Sequence, residues 1–166
     1  MIIIKNTQRR TKLNIARIRR RIQTMLDYLG YHDVDINVWF TTNKTIRGYN
    51  NRYRHKNVPT DILSFPFIVH TKNNRATPPD YYEKILGDLM ISPEFVRKII
   101  KASDITLEER LDQLFAHGIC HLLGYSHDTP AQDKRMRKQE QTLLKLLNPK
   151  QTSVTTNTQV VQAPRE

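Results

Sequence analysis

Residues 117–127 read His-Gly-Ile-Cys-His-Leu-Leu-Gly-Tyr-Ser-His. His117 and His121 stand four apart, so on a helix both project from one face and can grip a single ion. Gly124 is where such a helix stops, because glycine takes the left-handed conformation of a helix end without a Cβ clash. The chain can then turn back and deliver His127 from a loop. Three neutral imidazoles supply three of the four ligands of a tetrahedral zinc and leave the last vertex for water, the arrangement of a catalytic site. Each histidine alone reads as a packed or solvated helix residue; the spacings of four and six around a glycine serve metal geometry. Cys120 does not complete a closed site, since it precedes His121 by one residue and points about 100° away around the helix. It reads as a small buried core residue.

Outward from this segment the chain divides into short elements. Upstream of the first histidine the periodicity predicts a helix over 106–123, and downstream one over 130–147. Ser92-Pro93-Glu94 starts a helix over 93–101 with proline in the first helical position. Leu86 to Ser92 and Ile62 to Phe67 read as strands. Asp33 to Phe40 alternates, with Val34, Ile36 and Val38 on one face, as in a half-buried strand. Thr42 or Asn43 caps a helix through Tyr53 that places Ile46, Tyr49 and Tyr53 on one side. Leu13, Ala16, Ile18, Ile22, Met25, Leu26 and Leu29 mark an amphipathic helix ending at Gly30; Arg17, Arg19, Arg20 and Arg21 lie off that stripe and read as a solvated face. Met1 to Ile4 reads as the first strand. Residues 70–80 form a polar, proline-containing loop, and 149–166 lose all periodicity and read as a disordered tail. The expected fold is therefore α+β: a single domain over 1–148, with a mixed four-stranded sheet packed against about five helices and the three-histidine zinc site on one helix and the loop after it.

Composition narrows the partners. The chain has 166 residues, 38% hydrophobic and 26% charged, and 27 Lys and Arg against 16 Asp and Glu give +11 and a pI near 10.0. That excess favours an anionic partner, with nucleic acid ahead of a membrane surface. Three isoleucines at the start are too few for a signal-peptide core, and no stretch approaches the roughly 18 apolar residues of a membrane span. A single cysteine excludes an internal disulfide and fits a reducing, cytoplasmic compartment.

The histidine spacing equals that of the metzincin peptidases, which carry a glutamate general base directly after the first histidine. Here that position is Gly118, which disfavours amide hydrolysis.

The histidine segment, together with NNRYRHKNVPTDILSFPF (50–67), LGDLMIS (86–92) and the downstream Met136 and Glu140, resembles the YbeY family of bacterial metallo-endoribonucleases. The resemblance runs in order from about residue 35 to 145. It implies one zinc ion held by His117, His121 and His127, and cleavage of single-stranded RNA. It also implies maturation of the 3′ end of small-subunit ribosomal RNA, late ribosome quality control, and a functional arginine at Arg54. The chain departs from the usual family residues at Ser126 and Asn57, where aspartate is usual, and at His55, where glycine is common. None of these removes a ligand.

Phosphodiester cleavage calls for a fixed cation on the non-bridging oxygens, and the planar fork of arginine holds two oxygens at once. Arg54 is the candidate catalytic arginine. Arg52 and Lys56 are candidates for flanking phosphates, with Ser64 and Asp88 as further substrate-binding candidates. Asp88 is also a candidate to orient a histidine, beside the plainer reading of capping or turn duty that it shares with Asp61. Tyr49 and Tyr53 suit either base stacking or the core. The expected partner is RNA, on the ribosome, and no membrane. Two other readings stand beside this one: a non-catalytic ribosome-assembly factor with a structural zinc, and a zinc peptidase.

Overall fold

The computed structural model describes residues 1–67 and 85–148. The loop expected at 70–80 and the tail expected at 149–166 lie outside the described residues. In chain order the elements are β1 (Ile2–Asn6), α1 (Ile15–Tyr28), β2 (Asp35–Phe40), α2 (Asn43–Arg54), β3 (Ile62–Pro66), β4 (Ile85–Ile91), α3 (Pro93–Ile100), α4 (Leu107–Leu122) and α5 (Pro130–Leu147). The sheet order is β1-β2-β4-β3, with β1, β2 and β4 parallel and β3 antiparallel at the edge. The α+β class, the mixed four-stranded sheet and the five helices are as expected from the sequence.

Local chemistry sets the helix starts. Thr106 and Glu109 form a reciprocal capping box at the head of α4, and Thr129 and Gln132 form another at α5 with Pro130 behind it. Ser92 flanks α3 without capping it; its hydroxyl donates instead to Asn43 Oδ1 at 2.7 Å, tying the start of α3 to that of α2. At the other end of α2, His55 adopts φ 57°, and its N–H donates to the carbonyls of Asn50 and Asn51. This left-handed stop strains a residue with a Cβ by about 1 kcal/mol, a cost that glycine avoids. We expect His55→Gly to raise stability by about 1 kcal/mol in urea denaturation.

One sheet face carries Ile36, Val38, Phe40, Leu89 and Ile91 into the main core with buried residues of α1, α3, α4 and α5. On the opposite face Leu63 and Met90 bury against Ile46 of α2, with Trp39, Tyr49 and Phe65 at the rim. α4 is the central helix: from Leu111 to Leu122 every residue is buried except Gln113, His117 and His121.

Of the four arginines expected to form a solvated face of α1, Arg19 and Arg20 are exposed, but Arg17 and Arg21 are not. Arg17 makes paired contacts with Asp112 of α4 at 3.2 and 2.7 Å, and Arg21 Nε lies 3.5 Å from the same carboxylate. Arg19 donates to the carbonyl of Ile2, and Arg21 also donates to that of Leu147. The reason is the carboxylate of Asp112, only 1% exposed, which must be paired to remain in the core. Burial pushes its carboxyl above the usual carboxylate range in spite of the two arginines. Asp112→Ala strands both guanidiniums, which are 24% and 23% exposed and can turn partly to water. The expected loss is about 3 kcal/mol, read from the urea midpoint at unchanged m-value.

Candidate metal centre

The polar seam of α4 ends in the histidines. Gly118 explains how closely this helix sits on the sheet: an added Cβ would lie 2.7 Å from Leu89 Cδ2 and 2.9 Å from Ile62 Cδ1. The position that holds a glutamate base in the peptidases therefore faces packed hydrocarbon here. α4 gives way to Gly124 at φ 83°, with Tyr125 N–H donating to the carbonyl of Cys120 at 3.0 Å. That reversal brings His127 back over the end of the helix.

The three rings converge. Their centroids are 4.5 Å apart for His117 and His121, 5.1 Å for His121 and His127, and 5.9 Å for His117 and His127. One ligand nitrogen from each lies within 4.8 Å of the others. Nδ1 of His117 lies 2.8 Å from Glu140 Oε1, and Nδ1 of His121 lies 3.1 Å from the carbonyl oxygen of Tyr125. An ionised carboxylate and a carbonyl only accept, so both Nδ1 atoms carry the proton and both Nε2 atoms carry a lone pair. Those two Nε2 atoms stand 3.1 Å apart. Facing lone pairs repel unless a cation lies between them, and ligands about 2.0–2.1 Å from a tetrahedral zinc sit about 3.3 Å from one another. The donor set thus fits a metal ion of that kind. Burial and the two neighbouring imidazoles lower the His121 pKa to about 4, so it stays neutral and free to donate near pH 7. His127 is exposed, which leaves the cluster open on one side.

Glu140, on α5, is the acceptor that orients His117, the outer role for which Asp88 was a candidate. Asp88 lies on the other sheet face, in register with Asn37 and Phe65, and accepts a 2.7 Å hydrogen bond from Asn37. Ser64 pairs with Leu89 in register and so faces the α4 side. Arg54 is the last residue of α2, and Arg52, Arg54 and Lys56 are exposed, with no side-chain ion pair among the described residues. Asp61 does turn duty: its Oδ1 accepts from Ile62 N–H at 2.9 Å, while Oδ2 accepts from Arg110 of α4 at 3.2 Å.

A three-imidazole centre on a central helix, oriented by a carboxylate and a carbonyl and set in an α+β sandwich, defines a single-domain protein with a site able to hold a metal ion. The sequence model of the family described as Endoribonuclease YbeY matches residues 3–148, and the chain belongs to that family. The human Endoribonuclease YbeY is 34% identical over 144 residues, covering 86% of each chain. The Syntrophus aciditrophicus protein of the same name is 32% identical over 149 residues, covering 89% of each. A solution structure from Thermotoga maritima shares the fold, with a TM-score of 0.61 at 24% identity over 89% of both chains. Among the described residues, no helix is long and apolar enough to cross a membrane.

Proposed function

We propose that this chain is a zinc-dependent endoribonuclease that cuts single-stranded RNA, acting in the cytoplasm on the 3′ end of small-subunit ribosomal RNA and in late ribosome quality control. The observation that carries the chemistry is the pair of Nε2 lone pairs aimed at one point beside an exposed third imidazole. The ribosomal role rests on family membership. Zinc bound there would lower the pKa of its water to about 7 and offset charge on a phosphate oxygen.

The chain's own groups do the rest. Glu140 and the Tyr125 carbonyl hold the His117 and His121 rings with their Nδ1 protons outward and their lone pairs inward. Arg54, with no carboxylate partner among the described residues, supplies a guanidinium for the non-bridging oxygens, while Arg52 and Lys56 hold flanking phosphates. Ser64 is a further candidate contact from β3, and Asp88 another from the opposite face. Gly118, pressed on the sheet, favours this reading over a peptidase.

The test is metal analysis of the purified chain beside cleavage of single-stranded and duplex RNA by wild type and Arg54→Ala. We expect close to one zinc in both proteins, cleavage of the single strand only, and a loss of about 100-fold in kcat/KM for Arg54→Ala. Active protein free of metal sinks the proposal. Normal ribosomal RNA processing in cells carrying a folded His121→Ala chain would instead favour the assembly-factor reading.

A further inference from the structure

The α2 side of the sheet carries a row of aromatic rings that the cleavage chemistry does not use, beside cations of which Arg52, Arg54 and Lys56 are already assigned to it. From Ile36 to Thr60 the sequence holds Lys44, Arg47, Arg52, Arg54 and Lys56 and no aspartate or glutamate. The same stretch contributes three aromatic rings that continue into β3. Trp39 meets Tyr49 edge-on at 5.8 Å, Tyr49 stacks with Tyr53 at 6.1 Å, and Tyr53 meets Phe65 edge-on at 5.1 Å. The Lys5 ammonium stands 5.0 Å over the Trp39 ring. Ile46, Leu63 and Met90 are the buried floor of this cluster, so part of it is ordinary packing. Packing does not account for its outer rings: Tyr53 is 56% exposed and Phe67, just beyond β3, is 62% exposed. Asp88, an acid on this face, is held by Asn37.

We propose that Tyr53, with Phe65 beside it and Trp39 beyond Tyr49 in the same row, is a stacking platform for unpaired bases of RNA, and that Lys5, Lys44 and Arg47 carry the accompanying phosphates alongside Arg52. Rings with an exposed face and cations without an ion pair among the described residues suit a polyanion with flat, apolar bases. An acidic protein would use the charges and has no need of the rings. A duplex keeps its bases stacked on each other and cannot use them, so the platform gives a physical basis for choosing single strands. Because β3 is the edge strand, RNA laid on this face can pass around one strand to the α4 side. The proposal rests on the endoribonuclease reading for its substrate, but it can be tested apart from cleavage.

Trp39 is the only tryptophan in the chain and lies inside the cluster. The experiment titrates the full chain, with EDTA present to stop cleavage, with a short uridine oligonucleotide, the same length of duplex RNA, and polyglutamate, following Trp39 emission. We expect the single strand alone to change Trp39 emission. Tyr53→Ala should weaken its binding about tenfold and Tyr53→Phe restore it, with duplex affinity the same in all three proteins. Unchanged emission at saturating oligonucleotide, an equal response to polyglutamate, or wild-type affinity in Tyr53→Ala would overturn it. In particular, a lower melting temperature with unchanged affinity would assign the rings to packing alone. If the metal-loaded chain fails to cut RNA while the emission change and the Tyr53 effect persist, the nuclease reading falls and the platform stands.

Discussion

His121→Ala is expected to leave the chain folded, with less than a tenth of the wild-type metal after dialysis and RNA cleavage reduced at least about 10³-fold. Two donors remain, and they belong to different segments: His117 on α4 and His127 on the loop behind it. His121 is the ring that joins them, closest to His117 and next to His127. Without it no pair of nitrogens is held at the 3.1 Å seen between the two Nε2 atoms. The fold should tolerate the change because the imidazole is half-buried on the polar seam of α4, outside the apolar core, and alanine is a good helix former. Glu140→Gln is the informative partner. A glutamine oxygen still accepts from His117 Nδ1 but without the charge, so metal affinity should fall by about 10- to 100-fold, well short of the ligand deletion. If the two variants lost metal equally, Glu140 would be acting as a ligand and not as the group that orients one. If His121→Ala kept its metal and activity, the three-imidazole centre would be abandoned.

How much of this was legible in the sequence follows from the range of each interaction. The histidine triple could be read because it lies within eleven residues and one helix turn relates its first two members. The caps at Thr106 and Thr129 are equally local. Glu140 could not be read from spacing, because its contact with His117 spans 23 residues and depends on how α5 lies against α4. Arg17 and Arg21 of α1 misled for the same reason: their partner, Asp112, is 95 residues from Arg17. Asp88 was a candidate on the histidine side because a strand position reveals its face only when alternation holds. In β4 it does not. The register shifts between Asp35 and Ile36 opposite Ile85 and Gly87. Leu86 therefore joins Leu89 and Ile91 in the main core, although it is an odd number of residues from each, and Asp88 faces α2.

That irregularity makes Gly87 the residue whose replacement should cost the fold most. Its φ is +146°, a region that L side chains rarely adopt, and a Cβ there would lie 2.4 Å from the carbonyl oxygen of Phe65, 3.1 Å from Phe67 N and 2.9 Å from Leu122 Cδ2. Two of those three atoms are backbone of the neighbouring chain segment, and Phe67 N–H donates to the carbonyl of Leu86 at 3.1 Å, so that segment cannot retreat without breaking the ladder. Gly87→Ala thus combines backbone strain of about 1–3 kcal/mol with an overpacking cost of similar size, together about 4 kcal/mol. For a domain of this length that is a fall in melting temperature of about 8–16 °C. Gly30→Ala separates the two causes, because Gly30 also has positive φ, at +81°, but nothing lies within 4 Å of its added Cβ. It should cost only about 1–2 kcal/mol. Equal losses in the two variants would mean that conformation alone matters and that the close approach of β3 is incidental. A larger loss at Gly87, with weaker metal binding, would show that the bulge also seats Leu122 and hence the last turn of α4, where His121 is held.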